Sequence, residues 1–247
     1  MRKWNSEAGM SLVEATIILM TLAILTAVIA PSAGDYINEA RNVKAKEDVE
    51  AIGTGILRVL RDTGNKCLMF DANNGCTTTN RIDLLLSGDT TLTTAAKAVS
   101  VADSAALTGT NATPYNWAPD ASAPTGDQVD TIENQLVTNT LDTNNYPSVS
   151  FTSGGGPRPG IGWRGAYLTG PVGKDPWGNK YQANTVFLGV ASDGGTGAAE
   201  GNADGGWSYN ALVLSPGSNG VVETAFAAKG STAGGDDVIY VMKGSTR

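Results

Sequence analysis

GMSLVEATIILMTLAILTAVIAP, residues 9–31, decides how the rest of the chain is read. No charged residue occurs from Ala15 to Gly34, and a helix rising ~1.5 Å per residue over about twenty such residues spans the ~30 Å hydrocarbon layer. Arg2 and Lys3 lie just before it. The positive-inside rule therefore keeps the N-terminus cytoplasmic and sends the bulk of the chain outward. A secretory signal peptide is a rival reading, with small residues in AVIAPSA for a peptidase. The apolar run nevertheless exceeds the usual h-region of about 7–15 residues, and helical periodicity continues beyond it.

One carboxylate, Glu14, interrupts the start of this stretch. A charge at the bilayer centre costs ~2.5–3.5 kcal/mol and is usually partnered. Cleavage after Gly9 would expose the α-amine of Met10, four residues upstream, as a cation that could pair with Glu14 within one chain or between adjacent helices. An ordinary single-pass anchor with an interfacial Glu is the bland alternative.

The set formed by a short basic leader ending in Gly9, an apolar residue after it, Glu14 as the fifth residue of the processed chain, and Pro31 near the end of the run resembles the class III signal of type IV pilins and type II secretion pseudopilins. The resemblance implies that a prepilin peptidase cuts between Gly9 and Met10 and methylates the new amine. It also implies that Glu14 pairs with a neighbouring subunit's amine in a helical homo-oligomeric filament. Met10 departs from the Phe most common in the family at that position.

Composition limits what else the chain can be. With 6% aromatics and 31 glycines in 247 residues, the outer part is expected to be loop-rich around a modest core. The formal net charge of −7 does not suggest nucleic-acid binding. The absence of His removes the commonest general base and metal ligand, and two Cys cannot form a zinc cluster. Cys67 and Cys76 fall in the segment expected outside the cytoplasm, where a disulfide closing this short loop is permitted; the spacing is not CxxC.

After Pro31 the pattern becomes amphipathic. Val49, Ile52, Ile56, Val59 and Leu60 share one helical face, so one helix is expected from about Ser11 to Asp62, kinked at Pro31 and stopped at Gly64. The chain is thus read as leader 1–9, membrane and filament-core helix 10–34, amphipathic helix 35–62, loop-rich insertion 63–160 and sheet head 161–247. Short helices are expected at Ala95–Ala106 and Gln128–Leu136, with surface loop in most of the remainder of 77–160. Asn111 matches a glycosylation pattern that chance also produces. GIGWRG, residues 160–165, matches GxGxxG but lacks a preceding strand and a following helix, so it is not read as a dinucleotide site.

KYQANTVFLGVA, GWSYNALVLS and DDVIYVMK read as three strands. They predict an antiparallel sheet covering the amphipathic helix, an α+β, ladle-shaped, pilin-like architecture.

GKDPWGNKYQA, residues 173–183, is a turn opening a strand, and it resembles the DPWG-N-x-Y signature of the major pseudopilin of type II secretion. That family carries a Ca²⁺ loop after its strand pair. Carried onto SPGSNG (215–220) and GGDD (234–237), the resemblance would place the Pro216 carbonyl, Asn219, and Asp236 or Asp237 around an ion, with Asn219 standing where the family has an acid.

The leading expectation is a non-enzymatic subunit of a pseudopilus, with a cytoplasmic ATPase, an inner-membrane platform and minor pilins or pseudopilins as implied partners. It would reside in the bacterial inner membrane before assembly, then in a periplasmic pseudopilus. A surface type IV pilus for adhesion, motility or DNA uptake is the alternative. A membrane-anchored extracytoplasmic hydrolase is the remote one, and Trp163, Trp177 and Trp207 could serve a ligand-binding module.

Overall fold

A computed structural model describes residues 10–77, 80–88, 117, 129–148, 160–188, 210–226 and 232–242. Helix α1 runs over Leu12–Thr63 without interruption at Pro31. Ser11 starts it: its hydroxyl accepts the Val13 N–H at 3.3 Å and its carbonyl accepts the Ala15 N–H at 3.0 Å. At the other end Gly64 takes the left-handed conformation, φ +70°, which lets the chain leave the helix without a Cβ penalty. The freed Asp62 carbonyl accepts the Gly162 N–H at 2.7 Å. GIGWRG therefore helps close a helix end.

The chain divides into two compact units, Met1–Arg41 and Asn42–Arg247. In the first, the apolar side chains of α1 are exposed, with Leu12 at 80% and Val28 at 71%, and the helix is long and apolar enough to cross a membrane. Thr16, Thr21 and Thr26 donate their hydroxyls to the carbonyls of Val13, Ile18 and Leu22 at 2.8–2.9 Å. Their polarity is thereby satisfied within the helix, as an apolar solvent demands.

In the second unit, Ala45, Val49, Ile52, Ile56 and Val59 of α1 are buried. Their alternating spacing of four and three residues keeps them on one face, and each buried Val or Ile contributes about 1.5–3 kcal/mol. Gly53 and Gly55 lie beside this face. A Cβ at Gly53 would come within 2.6 Å of Tyr240 Cε1 and 3.3 Å of Met242 Cγ, and one at Gly55 within 3.3 Å of Leu136 Cδ1. The glycines let the helix backbone approach its neighbours closely.

The facing sheet has five strands: β1 (Leu84–Leu86), β2 (Val129–Thr131), β3 (Gln182–Ala183), β4 (Ala211–Ser215) and β5 (Val238–Met242). Their order is β2-β1-β3-β4-β5. β1–β3, β3–β4 and β4–β5 pair antiparallel, the last in register Ala211↔Met242 to Ser215↔Val238. β1 and β2 pair parallel, Leu84↔Val129 to Leu86↔Thr131. The sheet is thus mixed, and not wholly antiparallel as the sequence pattern predicts. A parallel pair needs a crossover of a dozen or more residues, which the chain between Leu86 and Val129 supplies.

Both extra strands come from the stretch read mostly as surface loop, as do buried Ile82, Trp117, Ile132, Leu136 and Tyr146. The expected helix at 128–136 is in part β2; helical backbone begins at Ile132 and continues as a π-turn over Asn134–Thr138. Val129, Ile132 and Leu136 do have helical spacing, but pairing with β1 extends the first three residues. Among the described residues of the run 180–191, strand is confined to Gln182–Ala183, followed by a 3₁₀ turn, Thr185–Leu188. There the Asn184 side chain accepts the Leu212 N–H at 2.5 Å and donates to the Phe226 carbonyl at 2.7 Å. That side chain adds to the backbone bond from the Asn184 N–H to the Leu212 carbonyl at 3.1 Å. The expected helix at 95–106, Asn111 and Trp207 lie outside the described residues.

Candidate functional site

Three turns meet at one end of the sheet. In the first, Asp175 is buried; its Oδ1 accepts the N–H groups of Trp177 at 3.0 Å and Asn179 at 2.7 Å. Its Oδ2 accepts the Ser215 hydroxyl at 2.6 Å, which ties this turn to the end of β4. Asn179 Nδ2 donates to the Gly217 carbonyl at 2.8 Å. Two residues on, Tyr181 is buried and donates its hydroxyl at 2.7 Å to Asp48 Oδ2 on α1, while Lys44 Nζ contacts Asp48 Oδ1 at 2.5 Å. Burial, and then the Asp48 carboxylate, push the Tyr181 phenol well above its ordinary range.

The second turn, Ser215–Gly220, is held from the third by one carboxylate oxygen. Asp236 Oδ2 accepts the Ser218 N–H at 2.6 Å, the Ser218 hydroxyl at 2.5 Å and the Asn219 N–H at 3.0 Å. Burial opposes the Asp236 charge, but the Ser218 hydroxyl and these N–H donors outweigh it and hold the carboxyl below its ordinary value. Its neighbour Asp237 is buried, and Oδ2 accepts the N–H groups of Glu223 at 2.9 Å and Thr224 at 2.6 Å. Here burial prevails over the hydrogen bonds and pushes the carboxyl up, with Glu223 adding repulsion. Trp117 reaches the same region, donating Nε1–H to the Thr224 carbonyl at 2.8 Å and meeting Phe226 edge-on at 4.9 Å.

Of the residues proposed for calcium, the structure joins Asn219 to Asp236 and sets Asp237 beside them; Pro216 is buried at the start of the turn. Two carboxylate oxygens, Asp236 Oδ1 and Asp237 Oδ1, are buried without a hydrogen-bond partner among the described residues. They are the side-chain oxygens left over here, against the six to eight oxygens, backbone carbonyls and waters included, that Ca²⁺ takes. Asn219 spends its amide elsewhere, with Nδ2 donating to Glu223 Oε2 at 3.1 Å and Oδ1 accepting the Val221 N–H at 2.7 Å. Among the described residues no group of three His, Cys, Asp or Glu is placed to hold a metal ion. The donor set does not fit the ion that the resemblance implies.

Elsewhere, Met10 and Glu14 are exposed at the start of α1, and Gly9 lies outside the described residues. Cys67 and Cys76 form a disulfide with Cα atoms 5.9 Å apart. A buried polar network, which sequence patterning does not reveal, braces the disulfide loop. Tyr146 Oη accepts the Met69 N–H at 3.0 Å and donates to Gln135 Oε1 at 2.9 Å, and Gln135 Nε2 donates to Asp130 Oδ2 at 2.7 Å. Burial pushes the Asp130 carboxyl up against its hydrogen bonds from Gln135, Asn134 and Thr131. Trp163 stacks on Tyr146 at 6.3 Å and meets Tyr167 edge-on at 4.8 Å. With Trp177 it packs against the core, so both are anchors of the fold.

A single helix that is an exposed apolar span in one unit and is buried on one face in the α+β head of the other is a pilin-like architecture. Residues 118–206 match the family model described as type II secretion system (T2SS), protein G. That stretch contains the Asp175–Tyr181 turn, and the match supports the pseudopilin family for this chain, a structural and not an enzymatic family. No curated protein and no solved structure matches the chain.

Proposed function

We propose that this chain is a shaft subunit of a type II secretion-type pseudopilus, matured by cleavage between Gly9 and Met10. The exposed apolar span of α1 carries the reading: large apolar side chains from Leu12 to Ile29 are exposed, and a bilayer or copies of the same helix would take them out of water. In the bilayer Glu14 sits at the helix N-terminus, where the helix dipole favours a carboxylate. In the filament its carboxylate pairs with the protonated α-amine of an adjacent Met10. The type II secretion family match favours a periplasmic filament over a surface pilus.

The test is the N-terminal mass of the mature protein together with its distribution between sheared surface filaments and the cell envelope at native expression. A chain starting at residue 10 and confined to the envelope is the expected result. An unprocessed N-terminus or one cut elsewhere overturns the maturation step, and abundant processed protein in the sheared fraction overturns the periplasmic assignment in favour of a surface pilus.

A further inference from the structure

We infer that the junction of the 215–220 and 232–237 turns is closed by hydrogen bonds in place of a calcium ion, and that Asn219 is the residue that excludes the metal. An ion bridging two acidic turns does two things: it neutralises carboxylates and it ties separate backbone segments together. Here N–H and O–H groups tie the segments together, and at Asp236 they also stabilise the charge. Asp236 Oδ2 has three donors and Asp237 Oδ2 has two, close to the limit of what a carboxylate oxygen accepts.

Asn219 then places a donor where a cation would stand. Its Nδ2 faces Glu223 Oε2, which also accepts the Asp236 N–H at 3.3 Å. The two contacts of its amide fix which end is nitrogen. An Asp at 219 would instead turn a carboxylate toward Glu223, with only a cation to offset the repulsion.

Close packing leaves the turns little room to rearrange. Gly217 lies against Asp236, where a Cβ would be 2.9 Å from Cγ, and Gly220 lies against Asn179, 2.8 Å from Oδ1. Gly235 has φ +49° and lies against the Glu223 carboxylate, where a Cβ would overlap Oε2. Asp236 Oδ1 and Asp237 Oδ1 are the side-chain oxygens left over, and a carboxylate at 219 would add ligand oxygens where the Asn219 amide now presents an N–H donor to Glu223.

The experiment is thermal melting of the full-length chain in detergent, in excess EGTA and in millimolar calcium, for wild type and Asn219→Asp, with direct calcium binding by calorimetry. Wild type is expected to melt at the same temperature in both and to bind no calcium. Asn219→Asp is expected to melt lower in EGTA and to rise by about 5 °C or more with calcium. A wild-type melting temperature that falls in EGTA, or calorimetric binding to wild type, overturns the inference. An Asn219→Asp chain indifferent to calcium overturns the role given to Asn219. These readouts follow the folded subunit alone, so their outcome is separable from whether the chain forms a filament.

Discussion

The Tyr181 hydroxyl donates to Asp48 Oδ2 at 2.7 Å across 133 positions of sequence. This joins the strand that follows the Asp175 turn to the outer edge of the buried helix face. Asp48 also holds Lys44 one helical turn earlier, so the carboxylate is fixed from both sides.

Tyr181→Phe keeps the ring and removes only this donor. A hydrogen bond to a charged, part-buried acceptor is worth about 1–2 kcal/mol, so the melting temperature should fall by about 2–8 °C. A cycle with Asp48→Asn should show the two changes to be less than additive; full additivity would mean that the pair is not coupled.

Gly53→Ala should destabilise by about 1–2 kcal/mol, because overpacking against Tyr240 outweighs the gain in helix propensity. Tyr240→Leu in the same chain should recover part of the loss. At Gly34, where an added Cβ meets nothing within 4 Å, Ala should be neutral or stabilising by up to about 1 kcal/mol. Denaturant titrations of the three chains distinguish steric conflict from a general effect of glycine replacement.

Removing the Cys67–Cys76 disulfide as the double serine variant should cost about 2–3 kcal/mol, the unfolded-state entropy of a loop of this size. Reductant should bring the wild type to the same stability and leave the variant unchanged. A wild type insensitive to complete reduction would show that the Tyr146 network, with its hydrogen bond from the Met69 N–H, suffices to hold the loop.

Asp236→Ala should lose about 1–2 kcal/mol at neutral pH, discounted because the site is partly solvated. The folded carboxyl lies below its ordinary 3.8, so its contribution is fully present above that value and is lost as pH falls through the folded pKa. The gap between variant and wild type should therefore be widest near neutral pH and close below about pH 3.8. Asp237 has the opposite sign: its raised carboxyl costs stability at neutral pH, and acid relieves that cost as pH falls through the folded pKa toward the unfolded value. A gap that stayed constant into acid would exclude charge as the source of the Asp236 contribution.

Glu14→Ala should leave the cut after Gly9 intact, since Glu14 lies beyond the scissile bond, and should reduce pseudopilus assembly. Mass spectrometry of the N-terminus and filament yield read the two effects separately. Normal filaments from this variant would remove Glu14 from the assembly step.

Local signals were enough for the elements whose cause is local. Twenty residues without charge mark the span of α1, Ser11 and Gly64 mark its ends within a residue, and four-three spacing marks the face from Val49 to Val59. The strand character of Ala211–Ser215 and Val238–Met242 is likewise written in unbroken apolar runs, and Cys67 and Cys76 are close enough in sequence to pair. Other features depend on partners distant in the chain. Leu84–Leu86 is too short to announce a strand, and Val129–Ile132 has the spacing of a helix until β1 extends it. Gly53 looks like a weakness until Tyr240 fills the space beside it. The junction at Asn219 is of the same kind: the SPGSNG turn resembles a calcium loop in its own residues, while the donors that occupy Asp236 and the Glu223 that turns the Asn219 amide arrive only when three separated turns converge. Hydrophobic periodicity is a property of neighbours along the chain, whereas hydrogen-bond satisfaction and close approach belong to neighbours in space.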